Sequence, residues 1–155
     1  KNQMIKISPA DKWFSKCVRE SQDWTCEVCK TKYPENAQGL HCSHYFGRRN
    51  YSVRFCAGGA GGVTNAFSHC FGCHQKMGSN PYDFTKWVTD TIGEGALQIL
   101  IEKRNDINAG KMIKKHLPLV AAHYKLEFEG LQARRAGGDS GVLTFTPYLW
   151  LFRIF

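Results

Sequence analysis

Cys26-Glu27-Val28-Cys29 and Cys70-Phe71-Gly72-Cys73 are two stretches with the same cysteine spacing, and the expected structure is built around them. A gap of two residues lets a tight turn aim both thiolates at one ion. We call each CxxC turn a knuckle, and two such knuckles supply the four ligands of a closed tetrahedral zinc site. We therefore predict a structural Zn²⁺ held by Cys26, Cys29, Cys70 and Cys73. One such motif alone would also fit a redox pair, so buried free thiols beside a redox pair remain the alternative.

The composition limits the classes to which this chain can belong. Its 155 residues favour one domain, and a hydrophobic fraction of 43% excludes wholesale disorder. The cysteine count of 7 is odd and the first residues lack an apolar secretory segment, so we expect a reducing compartment rather than a disulfide framework. No run of about 18 apolar residues occurs, so we expect no membrane partner. The formal net charge of +8 favours an anionic partner, nucleic acid first.

Helical and strand patterns surround the knuckles and predict an α+β chain. The predicted elements are a helix over 9–20 capped by Ser8, a short hairpin within 40–56, a strand over 63–67, a helix from Cys70 to Met77, and helices over 81–92, 94–105 and 111–135, the last divided by Pro118. We divide the chain into an N-terminal helix (1–20), a core (21–93), a helical extension (94–136) and a linker with an apolar tail (137–155). The pattern leaves open whether that tail is a strand pair, an interface segment or a segment added to the natural protein.

Three polar residues stand at fixed intervals around the knuckles. His44 lies between them, Asn65 lies five residues before Cys70, and His74 directly follows Cys73. This order and local spacing resemble the HNH endonuclease family in its zinc-bearing form. The resemblance implies a small zinc-stapled ββα-metal core set among helices, and a metal-dependent DNA endonuclease that hydrolyses phosphodiesters.

The resemblance also implies a role for each polar residue. His44 would be the general base, Asn65 would orient it, and His74 would bind a catalytic divalent ion, Mg²⁺ or Mn²⁺, separate from the structural zinc. Many members of the family have Asp or His directly before the base, where this chain has Ser43. His41 is the nearest candidate for a second ligand of that ion, with a surface or structural histidine as the alternative. Positions 41 and 44 of a regular strand face opposite sides, so we expect a bulge or turn there.

Further segments resemble the phage recombination proteins of the NinG (Rap) family. These segments are Lys12-Trp13-Phe14-Ser15, LHCSHYFGRR at 40–49 and CHQKMGSNPYDFTKW at 73–87. The likeness implies a phage-encoded protein in the bacterial cytoplasm that acts on branched or junction-containing DNA. Cutting both arms of a symmetric junction would favour a homodimer.

Basic residues after the base are the predicted DNA contacts. Bidentate guanidinium groups suit phosphates, so we expect Arg48, Arg49 or Arg54 to grip the backbone, with Lys76 as a weaker contact. Basic residues of the helical extension fit a solvated face or a phosphate-contacting one. A non-catalytic zinc module that binds nucleic acid is the alternative function. The set of His44, Asn65 and His74 separates the two, because a binding module does not require it.

Overall fold

A computed structural model of the chain describes residues 5–58 and 62–148. Within them the chain forms helices around one two-stranded antiparallel sheet, which confirms the α+β class. The elements are α1 (Pro9–Ser21), β1 (Leu40–His44), α2 (Tyr51–Arg54), β2 (Ala66–Cys70), α3 (Phe71–Ser79), α4 (Pro81–Ile92), α5 (Glu94–Arg104), α6 (Ile107–Lys115) and α7 (Leu117–Ala136). Across the described ranges, none of the helices has both the length and the apolar character needed to cross a bilayer.

The first helix forms where its capping residues predict it. The Ser8 hydroxyl accepts a hydrogen bond from the Asp11 amide at 3.3 Å, and the Asp11 carboxylate accepts one from the Ser8 amide at 2.7 Å. Pro9 fits the first turn because that position has no helical partner for an amide hydrogen. The buried stripe of Phe14 and Val18 then lies against α7 and the sheet.

The sheet differs from the predicted hairpin within 40–56, and that prediction is wrong. β1 pairs with β2 in an unbroken antiparallel register that runs from Leu40↔Cys70 to His44↔Ala66. Beyond His44 the chain leaves the ladder because both backbone groups of Phe46 bond to the Asn65 side chain. The intervening segment contains α2, and the second strand begins three residues later than the predicted 63–67.

The two faces of this small sheet carry separate cores. One core joins the sheet to α1 and α7 and includes Phe14, Leu40 and Tyr124. The other joins the opposite face to α3 and α4 and includes Phe67 and Val88. The sheet is therefore covered on both sides, which holds its strand ends and the start of α3 in fixed positions.

The helical extension divides at His116 rather than at Pro118, which occupies the first turn of α7. The described part of the tail is an extended strap across the helices. The Leu143 amide donates to the Ser21 carbonyl at 2.8 Å, and Phe145 packs where Gly58 leaves room. Gly58 has φ +86, and a Cβ there would lie 2.8 Å from the Phe145 ring. Residues 149–155 of the predicted apolar tail lie outside the described residues.

Candidate metal centre and histidine cleft

Four cysteine thiols converge at the junction of the two knuckles. The Sγ atoms of Cys26, Cys29, Cys70 and Cys73 all lie within 4.8 Å of one another. The Sγ atoms of Cys29 and Cys70 are 3.8 Å apart. A tetrahedral zinc with Zn–S bonds of about 2.3 Å requires sulfurs about 3.8 Å apart. All four cysteines are free of disulfides, so the cluster can hold a metal ion such as zinc.

The first knuckle is a turn closed by its own backbone. The Cys26 amide donates to the Thr31 carbonyl at 2.9 Å, and the Lys30 amide donates to the Cys26 carbonyl at 2.9 Å. Lys30 adopts φ 63, a left-handed conformation that costs a residue with a Cβ about 1 kcal/mol or more. The Thr31 hydroxyl, 3.2 Å from Cys29 Sγ, and the Thr31 backbone, together with the neighbouring Cys26 and Cys70, lower the pKa of that thiol to about 6 and so favour the thiolate.

Glu27 fastens the first knuckle to the sheet. Its amide donates to the Ser68 carbonyl at 2.7 Å, and its carboxylate accepts from the Ser68 amide at 2.8 Å. This pair of bonds occupies the edge of β2 and brings the first two cysteines to the second two. Burial raises the pKa of Glu27 to about 7. Sequence reasoning did not identify Glu27, because the residues inside a CxxC motif carry no pattern of their own.

The three predicted site histidines line one cleft of about 660 Å³. His41 Nδ1 lies 2.9 Å from His74 Nδ1, and His41 Nε2 lies 3.1 Å from the Gln38 carbonyl oxygen. Because a carbonyl can only accept, Nε2 of His41 carries the proton and its Nδ1 presents a lone pair. Partial burial and the neighbouring His41 both lower the pKa of His74. With His41 Nδ1 as the acceptor, the 2.9 Å contact is a hydrogen bond donated by His74 Nδ1, and a metal ion bound by both Nδ1 atoms would take the place of that proton.

His41 and His44 reach this cleft without the expected bulge, which corrects that prediction. The register of β1 is continuous from Leu40 to His44. Leu40, His41, Cys42 and His44 all line the cleft, so it runs along the free edge of β1, where side chains from both faces can reach it. A two-stranded sheet has such an edge on each strand, and the sequence pattern does not show that a cleft follows it.

The backbone holds His44 in one tautomer. Its Nε2 donates to the Arg54 carbonyl at 2.9 Å, which leaves Nδ1 unprotonated. Burial lowers the pKa of His44 to about 4, and the nearby Arg48 charge contributes to this shift. His44 is therefore neutral near pH 7, with one basic nitrogen.

Asn65 is fully buried, and its side chain bonds to the backbone of two segments that flank the His44 ring. Its Oδ1 accepts from the Phe46 amide at 2.7 Å, and its Nδ2 donates to the carbonyls of Phe46 at 2.9 Å and Val53 at 3.1 Å. These bonds fix the chain just after His44 and just before Arg54, whose carbonyl holds the imidazole. Asn65 therefore has the geometry of a positioning residue, because it fixes both the segment that follows His44 and the segment that precedes the carbonyl bonded to its ring.

The predicted DNA contacts separate into different places. Arg48 lines the histidine cleft, Arg49 lines a second groove beside α6, and Lys76 is exposed on α3 outside both. Arg54 is only 1% exposed, and its guanidinium donates to both oxygens of Asp11 at 2.9 and 2.7 Å. The expectation that Arg54 meets DNA at the surface is wrong, because its guanidinium is buried and its paired N–H donors are bonded to the Asp11 carboxylate.

Sequence reasoning missed the basic side of the cleft. Lys12, Lys16 and Arg19 of α1 line it together with the histidines. Arg19 donates to the Leu40 carbonyl at 3.3 Å, so the helix is tied to the free edge of β1. The spacing of these three cations along α1, away from its buried stripe, could have identified them.

A scan against protein-family models and searches of curated proteins and of solved structures find no match to this chain.

Proposed function

We propose that this protein is a metal-dependent endonuclease that hydrolyses phosphodiesters of DNA. The observation that carries the proposal is the shared cleft: a neutral, backbone-held His44 and the His41–His74 pair face one basic space. Zinc in the cysteine cluster would be structural, because four thiolates leave no open position. The HNH-like order of His44, Asn65 and His74 supports the same reaction class.

The histidine pair fits a divalent ion. Nitrogen ligands at about 2.1 Å that subtend a right angle lie about 3.0 Å apart. The observed separation of His41 Nδ1 and His74 Nδ1 is 2.9 Å. Asp11 is the one carboxylate among the described residues that line the cleft, and Arg54 already holds it. Imidazole donors favour Mn²⁺ or Ni²⁺ over Mg²⁺. Such an ion, when bound, would neutralise the phosphate and stabilise the leaving oxygen.

In this proposal His44 takes the proton of the attacking water. Nδ1 accepts that proton while the water oxygen forms a bond to phosphorus and the P–O ester bond breaks. The Nε2–H bond to the Arg54 carbonyl keeps the ring in position and stabilises the imidazolium that forms. The leaving oxygen takes a proton from solvent and the imidazolium returns its proton to solvent, so the products are a phosphate monoester and an alcohol, and atoms and charge balance without a redox partner.

The charge of the cleft supports a phosphate-bearing substrate. Lys12, Lys16, Arg19 and Arg48 line it, and Arg54 neutralises Asp11. Contacts of this kind grip the backbone rather than read bases, so affinity should fall steeply with salt. A branched DNA substrate, a homodimer and a phage protein in the bacterial cytoplasm remain proposals that rest on the likeness to NinG-type proteins.

A zinc-containing module that binds nucleic acid without cutting is the second candidate. One observation favours it: within the described part of the chain, the cleft offers no uncommitted carboxylate, the ligand that Mg²⁺ normally takes in proteins. The basic cleft would bind DNA equally well without any reaction.

One experiment separates the two candidates. Zinc-loaded wild type and His44→Ala are compared on supercoiled plasmid and on a synthetic junction, with and without Mg²⁺ or Mn²⁺. Strong chelators are avoided because loss of the structural zinc would unfold the core. His123→Ala is the control, since His123 lies on α7 and bonds to the Thr146 carbonyl. Loss of cutting with retained binding in His44→Ala alone supports the enzyme. A wild type that binds both DNAs and cuts neither supports the binding module.

A further inference from the structure

A second basic groove lies beside the histidine cleft. It has a volume of about 260 Å³ and is formed where α2 meets α5 and α6. Among the described residues, four cations line it, Arg49, Arg104, Lys111 and Lys114, against one carboxylate. That carboxylate, Asp106, accepts from the Ala109 amide at 3.0 Å and caps α6.

The walls of this groove are held by specific contacts. The Ser52 hydroxyl donates to the Arg104 carbonyl at 3.0 Å and joins α2 to α5. Gly110 lets α6 approach α2 closely, because a Cβ there would lie 3.4 Å from the Ser52 amide nitrogen. A shape fixed in this way is a preformed site rather than a scatter of surface charges.

Aromatic rings hold two of the four cations. The Arg104 guanidinium lies 4.5 Å from the Phe46 ring centroid, and Lys114 Nζ lies 5.6 Å from that of Tyr51. Contacts of this kind orient a cation without neutralising its charge. These two cations therefore keep their charge for an anion in the groove.

The two basic spaces meet at one short loop. Arg48 lines the histidine cleft and the next residue, Arg49, lines the groove, so the segment at 47–50 separates them. A polyanion with regularly spaced charges can engage both sides of such a loop, whereas a small anion would occupy one.

We infer that the groove between α2 and α6 binds the phosphodiester backbone of a nucleic acid whose neighbouring segment occupies the histidine cleft. This inference rests on the proposed nucleic-acid function and gives the helical extension a role in it. The groove adds affinity and register, and it takes no part in the reaction.

The test is binding of duplex DNA to the full zinc-loaded chain without added Mg²⁺ or Mn²⁺, as a function of salt. Lys111→Gln and Lys114→Gln should each weaken binding several-fold and reduce the slope of log Kd against log salt by about 0.9 per lost phosphate contact. Lys115→Gln is the matched control: the same exposed residue type on the same helix, outside the groove lining. It should leave affinity and slope unchanged.

Each outcome decides a separate point. Groove variants that bind like wild type, or a control that loses as much slope as they do, overturn the groove as a site. Weaker binding and a smaller salt slope in the groove variants alone support the groove as a site. This holds even when wild type cuts no DNA, a result that would overturn only the proposed reaction. If the groove variants bind like wild type and His44→Ala has a cleavage defect, the groove is not a binding site and the proposed reaction is supported.

Discussion

His41 Nδ1 and His74 Nδ1 lie 2.9 Å apart although the two residues are 33 positions apart in the chain. One sits on β1 and the other in the first turns of α3, which begins directly after β2. The antiparallel register of the strands is therefore what brings the two rings together. At this distance the two Nδ1 atoms share one proton, and in its place they could share one metal ion.

Metal preference is the first prediction. Because the donors are imidazoles, Mn²⁺ and Ni²⁺ should activate cleavage at lower concentration than Mg²⁺. His41→Ala and His74→Ala should each raise the Mn²⁺ concentration for half-maximal activation more than about 10-fold, the usual scale for losing a metal-site contact. Titration of cleavage with each ion measures this, with zinc content checked in every variant. If both variants reach half-maximal activation at the same Mn²⁺ concentration as wild type, the histidine pair is not a metal site.

Zinc removal is the second prediction. Purified protein should contain one zinc per chain. Cys29→Ser should lose both the zinc and the cooperative unfolding transition, since such sites contribute folding free energy directly. Cys42→Ala is the control, because Cys42 lies outside the four-thiol cluster. Metal analysis and thermal melts measure both effects. A Cys29→Ser protein with full zinc and an unchanged melt would show that the cluster is not a zinc site.

The buried ion pair gives the third prediction. Arg54 and Asp11 are 1% and 7% exposed, and their closest atoms are 2.7 Å apart. Burial raises the pKa of Asp11, but the bonds from Arg54 and Ser8 outweigh it and leave the pKa below its usual value. Asp11→Asn should cost about 3–5 kcal/mol of unfolding free energy, because a buried cation loses its partner.

Arg54→Met combined with Asp11→Asn should recover part of that loss, since both charges are then removed. Urea unfolding of the single and double variants measures the recovery. If Arg54→Met alone weakened DNA binding without any loss of stability, the buried ion pair would not be the main role of Arg54.

The depressed pKa of His44, about 4, gives the fourth prediction. Between pH 4 and the ordinary histidine pKa of about 6.5 the unfolded chain binds a proton that the folded chain excludes. This contribution to stability is complete above about pH 6.5 and is lost as the pH falls towards 4, with a slope of at most about 1.4 kcal/mol per pH unit. Urea unfolding at several pH values should show a shallower slope for His44→Gln than for wild type. Parallel slopes would place His44 in a solvated position.

Short-range chemistry made part of the fold predictable from sequence. The capping pair Ser8 and Asp11 predicts the start of α1, and the spacing of the two knuckles predicts the four-thiol cluster. The order of His44 and His74 around those knuckles predicts that they belong to one site, and the structure brings both to one cleft.

Contacts between distant segments decided the rest. β1 pairs with a strand beyond α2 because Asn65 fixes the chain where the ladder ends and Glu27 holds the middle of β2, and neither bond has a local pattern. Arg54 resembled a surface cation because its partner Asp11 lies 43 residues earlier. The spacing of Lys16 on α1 predicts a cation away from the buried stripe, but its place in the cleft depends on how the helix packs beside β1.

Single-turnover cleavage of an end-labelled synthetic junction by His44→Gln tests whether His44 is the general base. Protein is kept in excess, zinc-loaded and supplied with Mn²⁺, and Kd is measured for the same DNA in the absence of Mn²⁺. Glutamine keeps a donor for the Arg54 carbonyl and removes the basic nitrogen. We predict a rate constant about 10²–10⁴-fold below wild type, the range for loss of a general base, with Kd unchanged. A His44→Gln protein that cuts as fast as wild type would contradict the role of His44 as the general base.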